Sequence, residues 1–258
     1  MPTQENEGIE INRETILRLE SEIKSPINEQ DESPMDPKPT VGYEIKTETS
    51  RKNTDFSGAK NTPRADSAEI VKYQNNSSTL LPPIEGVQKK ICLVLDLDET
   101  LVHSSFQETK NPDYSFLLNV GNGTEVPVSV NIRPGAKEFL KTLGSLFELV
   151  IFTASCKPYA DQVINFIDED HNIKHRLYRD SCTEYGGHFV KDLSRLNRKL
   201  EKVIIVDNSP TAYLFQPYNA IAISSWFDEK TDNELFSIMN FLKNSYRVRN
   251  IYNLFSYE

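Results

Sequence analysis

Three unbroken apolar runs organise the last two thirds of the chain, at 91–95, 149–152 and 203–206, and each is followed at once by polar residues. Runs this short, without alternation, fit strands buried on both faces, as in a parallel sheet. Between them the period changes. Phe139, Leu140, Leu143, Leu146 and Phe147 recur at helical spacing behind Pro134, a residue that a first helical turn tolerates. Further helices are expected at about 159–168, 193–200 and 232–242, with another strand near 220–223. Strands alternating with helices predict an α/β fold, a mostly parallel sheet with helices on both faces. One stretch departs from this rhythm. Residues 115–120 and 126–132 read as two β runs around Gly121-Asn122-Gly123, so a small antiparallel β insertion is expected over about 107–132.

Composition divides the chain. Residues 1–86 are rich in Glu, Ser, Thr, Asn, Pro and Lys, with few aromatics. Such a segment buries too little apolar surface to offset its chain entropy, so a disordered polar tail is expected before a single domain at 87–258. Within the tail, Ile16, Leu17, Leu19 and Ile23 fall at helical spacing behind Asn12. They read either as a helix that forms on a partner or as a transient helix without a role. Ser25-Pro26, Ser33-Pro34 and Thr62-Pro63 have the form of proline-directed kinase sites, although such dipeptides are frequent in any tail of this composition.

A net charge of -9 argues against a general basic surface for duplex DNA, so no direct nucleic-acid partner is expected. Cys92, Cys156 and Cys182 are scattered, odd in number and without metal-ligand spacing, which fits a reduced, intracellular setting. No apolar run approaches the ~20 residues of a membrane span, so no membrane partner is expected either.

The chemistry begins where the first run ends. Asp96 and Asp98 lie two residues apart, and residues i and i+2 of a strand point to the same side. Paired carboxylates at this spacing suit a hard ion such as Mg2+. An acidic loop capping a strand is the plain alternative. The other two runs end in Thr153 and in Asp207-Asn208, and open α/β sheets bind ligands at the carboxyl ends of their strands. Those ends therefore converge on one candidate pocket, with Lys191 supplied from a nearby loop. Taken singly, Thr153 reads as a helix cap, Lys191 as a surface charge and 207–210 as a turn.

Asp96-Leu97-Asp98-Glu99-Thr100 resembles the signature of the small C-terminal-domain phosphatases, Mg2+-dependent protein serine/threonine phosphatases with a haloacid dehalogenase-like fold. The likeness continues through Arg133-Pro134, 152–155, 178–182, 191–196, 206–210 and 225–227, all within the last two thirds of the chain. It implies that Asp96 attacks phosphorus, giving an aspartyl-phosphate, that Asp98 serves as acid and then base, and that Thr153 and Lys191 hold the phosphoryl oxygens. It implies Mg2+ as cofactor, bound by the Asp96 carboxylate, the Asp98 backbone carbonyl and Asn208, with Asp207 beside them. His103 is expected to support the loop, and Arg133 and Trp226-Phe227 to pack.

The same resemblance places a proline-accepting substrate pocket at Phe106, Leu118, Val120, Val128, Cys156 and Tyr159, with Arg179 contacting a second phosphate or the peptide backbone. Hairpin core is an equal reading for Leu118, Val120 and Val128, as pairing with an acidic neighbour is for Arg179. Two departures touch specificity: Cys156-Lys157-Pro158 alters a pocket wall, and 184–188 lacks a basic residue usual in the family. The implied partner is a phosphoprotein carrying Ser-Pro phosphosites, such as the RNA polymerase II C-terminal repeats, and hence a nuclear location. Alternatives are other phosphoproteins or a catalytically silent binding module on the same fold.

Overall fold

The apolar runs become the middle of one sheet. A computed structural model describes residues 18–19, 21–24, 78–84, 90–121 and 123–254. In it, strands β1 (Cys92–Leu95), β5 (Glu148–Phe152), β6 (Ile173–Leu177), β9 (Val203–Asp207) and β10 (Ala220–Ala222) form a parallel sheet in the order β10-β9-β1-β5-β6. Leu95 pairs with Ile151 on one side and Val206 on the other, so the chain turns polar at one common edge.

Alternate residues of these strands feed two apolar clusters. Leu93, Leu95, Leu149, Ile151, Ile204 and Val206 face one of them, together with helices α1 (Ala136–Gly144), α2 (Lys157–Ile167) and α3 (Glu234–Ser245). Cys92, Val94, Val150, Phe152, Val203 and Ile205 face the other, which short 3₁₀ turns cover through Leu193 and Leu196. Each fully buried aliphatic side chain contributes about 1.5–3 kcal/mol. The antiparallel sheet has the order β2-β4-β3, from β2 (Val102–Ser105), β3 (Tyr114–Asn119) and β4 (Glu125–Ile132). It recruits β2, a strand too polar to stand out in the sequence.

The helix expected at 193–200 is instead two 3₁₀ turns, Leu193–Leu196 and Leu200–Lys202. Asp192 caps the first by accepting from the Ser194 amide, and Asn197 at φ 54° ends it in the left-handed region. Strand β6 carries Lys174, His175 and Arg176, and as an edge strand it lacks the apolar run that marks its neighbours. The hairpin of β7 (Thr183–Tyr185) and β8 (His188–Val190) turns on Gly186 and Gly187, at φ 59° and 81°, the double positive φ of a type I′ turn.

Two pieces of the expected polar tail lie against the domain. Leu81 is buried in the second cluster, with the Leu80 amide donating to the Arg195 carbonyl at 2.8 Å. Residues 18–19 and 21–23 are helical, and from them Leu19 and Ile23 reach the first cluster. Asn12, Ile16, Leu17 and the three Ser/Thr-Pro dipeptides lie outside the described residues. Among the described residues no helix is long and apolar enough to cross a membrane.

Candidate active site

At the polar edge of the sheet, Asp96 leaves β1 with its amide still bonded to the Val206 carbonyl at 3.0 Å, so its position is fixed by the sheet itself. The loop then folds back sharply. Glu99 adopts φ 58°, and the Leu101 amide donates to the Leu97 carbonyl at 2.9 Å. This turn brings the Thr100 hydroxyl to 2.9 Å from Asp96 Oδ2 and 3.2 Å from Asn208 Oδ1.

Lys191 follows β8 and reaches in from the hairpin, 2% exposed, with Nζ at 2.5 Å from Asp96 Oδ1 and 2.6 Å from Asp207 Oδ2. Burial alone lowers an ammonium pKa, but Asp207 and Asp96 outweigh it and raise that of Lys191. Burial pushes the Asp96 carboxyl up, to about 7, against the pull of Lys191 and with a further push from Asp207 and Asp98. Asp207 is also held by the Ser209 amide at 2.8 Å.

Asp98 points toward the α2 side. Tyr159 donates its hydroxyl to Asp98 Oδ1 at 2.5 Å, and Ser155 donates to Oδ2 at 2.7 Å. Burial raises its pKa as well, opposed by Lys24 and by these two donors. Asp98 is thus set apart from Lys191, with partners that Asp96 does not share. Thr153 is buried after β5, and its Oγ1 accepts from the Ser155 amide at 3.0 Å, the local turn that aims Ser155 at Asp98. These groups surround a cavity of about 320 Å³ lined also by His188, Phe189, Ser209 and Phe227.

The structure therefore brings Asp96, Asp98, Thr153, Lys191, Asp207 and Asn208 together around one cavity. Among the described residues no group of three or more His, Cys, Asp or Glu stands ready as a metal cage. The oxygen set nevertheless fits Mg2+, which takes one or two carboxylates and otherwise waters and phosphate oxygens. Asp96 Oδ2 and Asn208 Oδ1 converge on one hydroxyl, and the Asn208 amide nitrogen is turned away to Ser225 at 2.9 Å.

Phe106, Leu118, Val128 and Tyr159 are buried in the main apolar cluster, with Val120 and Cys156 packed against it; none of them lines the cavity. Arg179 donates to the Ala154 carbonyl at 2.6 Å and to the backbone of residues 22 and 23, so its partners are peptide carbonyls rather than an acidic side chain. His103 bonds Glu99 at 2.9 Å and edges onto Phe227. Fully buried Arg133 forks onto Asp232 through two bonds of 2.8 Å and also reaches Glu234 and the Thr100 carbonyl, tying the loop to α3.

Sequence reasoning missed Thr100, Ser155, Lys24 and the polar role of Tyr159. The i, i+4 spacing of Asp96 and Thr100 and the Thr153-Ala154-Ser155 turn were available as signals for the first two. Nothing local marks Lys24.

Residues 91–252 match the family described as NLI interacting factor-like phosphatase. The CTD small phosphatase-like protein of Homo sapiens is 48% identical over 176 residues, 68% of this chain and 63% of that protein. Phosphatase PSR1 of Saccharomyces cerevisiae is 49% identical over 168 residues, 64% of this chain and 39% of that protein. The human carboxy-terminal domain RNA polymerase II polypeptide A small phosphatase 1 is 46% identical over 176 residues, 68% of this chain and 67% of that protein. The chain belongs to the NLI interacting factor-like phosphatase family, and it spans less than two thirds of the length of the first two of these relatives.

Proposed function

We propose that this chain is a Mg2+-dependent protein serine/threonine phosphatase that works through an aspartyl-phosphate on Asp96, with Ser-Pro phosphosites such as the RNA polymerase II C-terminal repeats as substrates. One observation carries the reading: Asp96 is held by Lys191 and Thr100 at the strand end, while Asp98, two residues on, is backed by separate donors. The two carboxylates thus have two different environments, as nucleophile and acid require.

In the first step an Asp96 oxygen bonds to phosphorus as the phosphorus bond to the seryl or threonyl oxygen breaks, and protonated Asp98 passes its proton to that oxygen. In the second, Asp98 as carboxylate takes a proton from water, the water oxygen bonds to phosphorus, and the bond to Asp96 breaks. Lys191 neutralises charge that builds on the phosphoryl oxygens, and the Thr153 side of the cavity bounds them. Asp96, Asn208, the Asp98 carbonyl and Asp207 would hold Mg2+, which when bound offsets the charge of the phosphate against these carboxylates.

The name of the human small phosphatase 1 supports the substrate, and a nuclear location would follow from it. The test is phosphate release by the full chain from polymerase-repeat peptides phosphorylated at single serines, with Mg2+ and with EDTA. Release only with the metal, favouring one Ser-Pro site, is expected. Release without site preference removes the substrate, and no release removes the catalytic reading.

A further inference from the structure

Residues 22–24 end a helical turn that the domain holds through its last carbonyls. The carbonyls of Glu22 and Ile23 both accept from the Arg179 guanidinium, the second at 3.0 Å, and the Cys156 amide donates to the Ile23 carbonyl at 3.1 Å. Arg179 is itself fixed, by the Ala154 carbonyl at 2.6 Å and by the Phe189 ring beneath it at 5.3 Å. The Ile23 side chain, 6% exposed, enters the apolar cluster that holds Phe106, Leu118 and Tyr159. Lys24 is 8% exposed, and its Nζ lies 3.0 Å from Glu99 Oε1 and 2.7 Å from the Ser104 carbonyl. Glu99 adjoins Asp98, Ser155 holds Asp98, and Cys156 adjoins Ser155. The docked segment therefore borders the candidate acid on two sides.

The last carbonyls of a helical turn held by a guanidinium and an amide, one apolar hole and one acceptor socket for an ammonium make a groove that this turn fills. We propose that in this chain Glu22-Ile23-Lys24 occupies the groove beside the candidate acid as a built-in competitor of the substrate. The inference rests on the phosphatase reading above and deepens it. The next residues in sequence are Ser25-Pro26, the same dipeptide assigned to substrates. A groove filled by its own strap nine-tenths of the time raises the apparent KM about tenfold, because only the open fraction binds.

The full chain carrying Ile23→Asp is compared with wild type on a Ser-Pro phosphopeptide in Mg2+. The variant is expected to lower KM by about five- to tenfold with kcat changed less than twofold. An unphosphorylated peptide of residues 18–30, added to the Ile23→Asp variant, should restore the higher KM competitively, and the same peptide with Ile23→Asp should not. Equal KM in the two chains, or an inert peptide, overturns the proposal. If wild type releases no phosphate, the catalytic reading has failed on its own. The groove is then decided by fluorescence anisotropy of the labelled 18–30 peptide on the Ile23→Asp variant, where saturable binding supports it and absence of binding overturns it.

Discussion

The two ends of the parallel sheet each carry a buried cation on carboxylate, with opposite consequences. At the amino end, Arg198 forks onto Glu148 at 2.8 and 2.6 Å and spends its remaining donor on the Pro82, Leu196 and Asn197 carbonyls. The His175 ring also faces this carboxylate, with Nε2 at 3.4 Å, so Glu148 has partners on both sides. At the carboxyl end, a single Lys191 stands between Asp96 and Asp207, with Asp98 nearby, around a cavity of about 320 Å³. Three carboxylates meet one ammonium. The first arrangement is complete and holds strands to turns. The second carries surplus negative charge, which a hard cation rebalances and which an incoming phosphoryl group deepens unless that cation is there.

The contrast is sharpest where a carboxylate is made neutral. Asp96→Asn removes the proposed nucleophile but keeps its shape, and kcat should fall by about 10⁴-fold or more, measured as phosphate release with circular dichroism unchanged. Lys191→Met should lower kcat by about 10²–10³-fold and also destabilise the fold by about 3–5 kcal/mol in urea, because two buried carboxylates lose their shared partner. Tyr159→Phe removes one donor to Asp98 while keeping the ring, and a loss of about tenfold in kcat with a small stability change is expected, since the other donor, Ser155, remains.

Glu148→Gln at the opposite end should leave kcat and KM alone and cost about 1–3 kcal/mol of stability at neutral pH. The sign of its pH dependence follows from the Arg198 bonds, which hold the Glu148 carboxyl below the ordinary carboxylate range. A depressed pKa gives stability that is present above the unfolded value of about 4.3 and lost as pH falls through the folded one. The gap between wild type and Glu148→Gln in urea melts should therefore close on acidification. A variant that lost activity here would erase the distinction between the two ends.

What the sequence disclosed follows the same division. Asp96, Thr153 and Asp207 sit directly after apolar runs, so local pattern alone places them on one edge. Lys191 has no such run before it; its place depends on the hairpin turned by Gly186-Gly187, and a surface charge was the plain reading of it alone. Strand β6 escaped notice because an edge strand need not be apolar on both faces. The 193–200 helix failed because Asp192 and Asn197 enforce short turns. Lys24 was the least legible: its partners Glu99 and Ser104 lie 75 and 80 residues away, and only the folded chain brings them together.

The central claim is that Asp96 carries the phosphoryl group. The full chain would be mixed with a radiolabelled Ser-Pro phosphopeptide and Mg2+, quenched in acid within one turnover, and digested to locate the label. Label on the peptide containing Asp96, released by hydroxylamine as an acyl phosphate and absent from Asp96→Asn, is the predicted result. Turnover that continues with no label on Asp96, or equal turnover in Asp96→Asn, would contradict it.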